Sequence, residues 1–167
     1  SSDLLSTKLN IVNLDLTHSS LEAVGTGTEN NTLTKLVASA NVAGVNLVAG
    51  YGMTNDNDAN GRHLGVDLAS DDDGKTNFRL DQIVLDDYVD ADAILLGASM
   101  TFGKTTVGAN YLTASVDNNS GADTDAKELD VSVAYAMSKN FSVTGLYSDA
   151  KIDTAGVVSY DEKIGRA

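Results

Sequence analysis

Leu129-Asp130-Val131-Ser132-Val133-Ala134-Tyr135-Ala136-Met137 alternates apolar with small or polar side chains, and Phe141-Ser142-Val143-Thr144-Gly145-Leu146-Tyr147 resumes the pattern after Ser138, Lys139 and Asn140. A strand places successive side chains on opposite faces, so each stretch has one apolar and one polar face. Working outward from this hairpin, the same rhythm predicts ten strands, near residues 8–17, 32–40, 45–53, 62–69, 77–85, 92–102, 105–115, 127–137, 141–150 and 158–167. The break at Ile11-Val12 reads as a bulge. Tight connections at residues 41–44, 70–76, 103–104 and 138–140 take turns with longer polar ones at 55–61, 117–126 and 149–157. Dyad strands with tight turns at one end and loops at the other define an all-β, antiparallel up-and-down transmembrane β-barrel. A Greek-key sandwich has no reason to sort its connections this way.

The chain has 167 residues, which fits a single β-barrel domain over 1–167 or the C-terminal part of one. No run of about 20 apolar residues exists, so a spanning helix is excluded. A barrel needs only every second residue to be apolar. The formal net charge of −13 opposes nucleic acid, whose binding requires Lys and Arg to neutralise phosphates. Without cysteine there is no disulfide and no thiolate site. The two histidines, His18 and His63, lie on different segments, and no nucleophile stands beside a base. No catalytic residue is assigned.

Aromatic residues mark the ends of the apolar rows. Phe102 and Phe141 flank tight turns, whereas Tyr51, Tyr111 and Tyr147 each lie about seven residues beyond one. Seven residues of a tilted strand cover roughly 18 Å of membrane normal, compatible with aromatic girdles at both interfaces. The expected lipid face carries residues such as Leu47, Tyr51, Leu96, Met100, Val131 and Val133. Its complement carries Asn46, Gly50, Gly97, Ser99, Gly108 and Asn110, the small and polar side chains that a water-filled lumen accepts.

Charges that parity turns inward are the candidate pore-lining residues. If Leu64, Val66 and Leu68 face lipid, Asp67 faces the lumen; if Phe78, Leu80 and Val84 do, Arg79 and Asp81 face it too. Asp130 follows from its own strand, and Lys35 and Asp15 join the set. Acidic members outnumber basic ones, which predicts a preference for cations.

One loop has the spacing of a calcium site: Asp56, Asp58 and Asn60, then Gly61, with Asp67 at the twelfth position. Its flanks read as strands rather than helices, so an EF-hand does not fit. What remains is Ca2+ held by loop oxygens or, more simply, a solvated acidic external loop. No other cofactor is implied. Residues 71–74 and 86–92 read as solvated turns, and the second has an alternative as a constriction folded into the lumen.

Two hairpins, Ala93-Ile94-Leu95-Leu96-Gly97-Ala98-Ser99-Met100-Thr101-Phe102-Gly103-Lys104-Thr105-Thr106-Val107-Gly108-Ala109-Asn110-Tyr111 and Tyr135 through Ser148, resemble those of Gram-negative outer-membrane porins, the campylobacterial major outer membrane protein in particular. The resemblance implies passive diffusion of ions and small hydrophilic solutes through a homotrimeric barrel of 16–18 strands. It also implies outer-membrane lipid and lipopolysaccharide as surroundings. The last strand stops before the terminal aromatic residue that such porins carry, so the chain is expected to be part of a larger barrel. The competing reading is a soluble or surface-displayed acidic β-sandwich or solenoid, acting as an adhesin or calcium-binding module. A third is a small closed barrel without a channel.

Overall fold

In a computed structural model of the chain, residues 2–9, 11–21, 31–54, 80, 90–117, 123–154 and 157–166 are described. They contain nine strands and no helix: β1 (Ser2–Leu9), β2 (Val12–Leu21), β3 (Asn31–Val42), β4 (Val45–Thr54), β5 (Ala91–Phe102), β6 (Thr105–Val116), β7 (Thr124–Ser138), β8 (Phe141–Thr154) and β9 (Val157–Arg166). Each strand is antiparallel to the next, and sheet order equals chain order. This is the predicted up-and-down meander. Among the described residues no ladder joins β9 to β1, so the sheet is open.

The turns explain why the hairpins close where they do. Ala43 and Gly44 both have positive φ, 52° and 85°, the primed turn whose twist matches two antiparallel strands. Gly103, at φ 60°, opens the connection from β5 to β6 in a conformation that a side chain would strain.

Several boundaries differ from the expectation. The strand expected over 8–17 is two strands, and the supposed bulge at Ile11-Val12 is a hairpin closed by the pairing of Leu9 with Val12. Leu4-Leu5 breaks the alternation of β1, which hid it. The long loop expected over 149–157 shrinks to residues 155–156, because β8 runs to Thr154 and β9 starts at Val157. Asp149, Lys151 and Asp153 alternate charge instead of apolar bulk, so pairing continues where hydrophobic periodicity has stopped. Finally, β4 pairs directly with β5, Val45 with Met100 through Met53 with Asp92. The strands expected over 62–69 and 77–85 fall in the connection between these two. Apart from Leu80, those segments lie outside the described residues.

The register yields the tilt. Along one hydrogen-bonded row, Tyr51 of β4 lies opposite Ile94, Ile94 opposite Thr113, Thr113 opposite Lys127, and Lys127 opposite Lys151. The tyrosine of β6 is Tyr111, two residues short of this row, and that of β8 is Tyr147, four residues short. The aromatic edge thus slips one residue per strand relative to the hydrogen bonds. With a rise of about 3.3 Å and a strand spacing of about 4.8 Å, that slip is a tilt of about 35°. Membrane barrels tilt their strands by about this amount. Apolar outer residues span Ile94 to Phe102 on β5 and Leu129 to Met137 on β7. Eight steps at that tilt are about 22 Å along the membrane normal, close to the expected band of about 25 Å.

Candidate pore lining

Residues opposite each other in a ladder share a face, so the register sorts every side chain. The apolar row is the exposed one: Leu96 is 50% exposed, Val133 48% and Tyr51 46%. In water this arrangement is inverted, because bulky apolar residues stand outside while the protected face carries glycine, serine and charge. Hydrocarbon as the outer solvent removes the contradiction.

The inner face has two halves. Near the tight turns it is lined by small polar residues such as Asn46, Ser99, Thr106, Ser132 and Thr144. Gly97 leaves room there for the Asn110 amide oxygen and Val48, which lean across it and would have to shift to admit a Cβ. Near the loops the inner face is packed. Leu33, Val37, Leu95, Leu112 and several alanines form a buried cluster, and Leu80 packs against it. Leu80 belongs to the long connection between β4 and β5, so that connection returns to the inner side of the sheet at this point. The small and polar inner face expected from the sequence is thus found near the turns, and buried apolar residues replace it near the loops.

Charged groups sit at the junction of the two halves. Lys35 of β3 is 4% exposed and lies opposite Thr17 and Gly52. Asp130 of β7 is 7% exposed, opposite Asn110 and Ser148. Asp15 of β2 shares the inner face, opposite Val37. Glu128, one alternation from Asp130, is 1% exposed, and its Oε1 accepts a hydrogen bond of 2.7 Å from Ser148 Oγ. Across Ala150 from Glu128 stands Glu162 of β9, whose carboxylate accepts a hydrogen bond from the Tyr160 hydroxyl. Glu128, Asp130 and Glu162 outnumber Arg166, which the register places on the same face opposite Leu146, so the inner face of β7–β9 is acidic on balance. The parity that turns Asp130 inward does the same for Glu128, so that residue was legible. Glu162 was not, since β9 lacks apolar alternation.

Asp67, Arg79 and Asp81, and the calcium-loop candidates Asp56, Asp58 and Asn60, lie outside the described residues. Within 86–92, Asp92 belongs to β5 and points outward, where its carboxylate accepts a hydrogen bond from Tyr51. Asp90 holds the end of the β5–β6 hairpin, its carbonyl accepting the Asp117 N–H at 2.9 Å. These two residues therefore act at the sheet edge and outer face.

The sequence profile of the Gram-negative porin family matches residues 6–155, and the chain belongs to that family. Membership places it in the outer membrane, where the exposed apolar band is accounted for. The fold is also that of OccK3 (OpdO) from Pseudomonas aeruginosa, at a TM-score of 0.65 and 16% identity. The likeness covers 97% of this chain and 45% of that one, so the chain spans about half the length of the structure it matches. No curated protein matches the sequence.

Proposed function

We propose that the chain forms part of the wall of a water-filled pore through which ions and small hydrophilic solutes diffuse passively, with cations preferred. The observation that carries this reading is the sorting of charge by the register. Between Ile94 and Phe102, and between Leu129 and Met137, the outer face bears no charge, whereas Lys35, Glu128 and Asp130 point inward at about the same depth. A carboxylate ring in a low-dielectric wall attracts cations and repels anions. Asp67, Arg79 and Asp81 would add to this lining, and Asp56, Asp58 and Asn60 would offer oxygens to Ca2+ at the loop side. The assembly is a homotrimer in a membrane whose outer leaflet is lipopolysaccharide.

Planar-bilayer recording tests the reading. The intact barrel that contains this wall should give steps of conductance, and a KCl gradient should give a reversal potential of the sign for K+ over Cl−. A folded, inserted protein without conductance, or one selective for Cl−, would overturn it.

A further inference from the structure

The outer face of the sheet is not smooth. On β3–β6 the alanines Ala38, Ala49, Ala98 and Ala109 stand lower than Leu47 and Leu96 beside them, leaving a groove of about 550 Å3. At Ala98 and Ala109 it joins a second of about 420 Å3 that runs past Met100 to Phe102. The joined groove follows β5 and β6 through the apolar band as far as Phe102, two residues before Lys104 in the β5–β6 turn. The Lys104 carbonyl accepts the Ala136 N–H at 2.8 Å. That bond ties this turn to the end of β7, beyond which the next turn carries Lys139.

The charge at this end is opposite to that of the chain. The formal net charge is −13, which repels anions in general. Yet Lys8, Lys104 and Lys139 lie at or beside the turns joining β1 to β2, β5 to β6 and β7 to β8, and no carboxylate stands within three residues of these turns or of the one joining β3 to β4. Asp90, Asp117, Asp123, Asp125 and Asp153 all lie at the loop end. Among the described residues, the tight-turn end thus offers cations without a neighbouring carboxylate in sequence, which favours an anionic head group at the mouth of the groove.

We propose that the groove holds an acyl chain of an anionic phospholipid from the leaflet on the tight-turn side, with Lys104 and Lys139 meeting its phosphate. The inference rests on the reading of the sheet as a membrane-embedded wall. A hydrocarbon tail sunk between Leu47, Leu96 and Met100 gains contacts on three sides that a tail against a flat wall lacks. The lysines add the discrimination between head groups.

Native mass spectrometry of the full chain tests this, in detergent with equal amounts of dioleoyl-phosphatidylglycerol and dioleoyl-phosphatidylcholine. The wild type should retain the anionic lipid about tenfold over the zwitterionic one. Lys104→Gln with Lys139→Gln should equalise the two, and Ala98→Leu with Ala109→Leu should abolish retention of both. Equal retention by the wild type, or a preference unchanged by either pair, would overturn the proposal. So would a groove covered by a second copy, seen as a fixed oligomer without lipid that the leucine pair dissociates. Conductance of the same samples keeps the two readings apart: lost lipid with intact conductance sinks only the lipid site, and retained lipid without conductance sinks only the pore.

Discussion

The Tyr51 hydroxyl donates a hydrogen bond to the Asp92 carboxylate, diagonally across the β4–β5 ladder on the outer face. Below this pair, toward the tight turns, that face is apolar; at and beyond it stand Asp92, Lys127, Asp149 and Lys163. Within β8 the Tyr147 hydroxyl likewise donates to Asp149, two residues along the same strand, whose carboxylate lies 3.1 Å from the Lys163 ammonium. An amphipathic ring with its hydroxyl on a charged partner marks the edge of the hydrocarbon.

The chain has no tryptophan, so single tryptophans report depth and face without background. Leu96→Trp should emit at short wavelength in vesicles and be quenched by brominated acyl chains. Thr144→Trp, on the inner face, should be quenched by aqueous iodide instead. Swapped behaviour would invert the two faces.

A charge in the middle of the outer band is expected to be costly. Val133→Lys should lower the stability of the folded, inserted state by about 2–4 kcal/mol, read by urea titration in vesicles. The same substitution at Ser132, one residue away but inward, should cost much less. Equal costs would show that the band is not in hydrocarbon.

The close approach at Gly97 gives a prediction about packing. Gly97→Val should destabilise by about 1–3 kcal/mol, because Val48 and Asn110 must both retreat. Adding Val48→Ala should recover part of the loss. No recovery would remove Val48 as the obstacle.

Glu128 has a polar partner, and the two can be separated by measurement. Ser148→Val leaves the carboxylate without its 2.7 Å hydrogen bond and should cost about 1–3 kcal/mol of stability. Glu128→Gln with Asp130→Asn should instead reduce the ratio of K+ to Cl− permeability while single-channel conductance persists. An unchanged ratio would remove these carboxylates from the selectivity of the pore.

Much of this was legible before any tertiary structure. Leu129 through Tyr147 alternates so cleanly that strand, turn and outward face follow from it, and the same holds for 92–111. The inward position of Lys35 and Asp130 came from the same parity. The account failed where alternation was absent or of the wrong kind. β1 was lost because Leu4 and Leu5 are adjacent. The ends of β7 and β8, residues 124–126 and 151–154, were read as loop because Asp125, Lys151 and Asp153 place charge where apolar residues would mark a strand.

By itself, then, the sequence determined which face is apolar in the cleanly alternating strands β4 to β7, and that tight turns gather at one end of them. These are local properties: period two is imposed by the strand backbone, and the apolar row by the solvent it faces. Only the tertiary structure decided that β4 pairs with β5 across residues 55–90, that Leu80 packs on the inner face, and that Glu128 and Glu162 flank Ala150. Pairing partners and register depend on contacts between residues far apart in the chain, and alternation is the same whichever strand lies alongside.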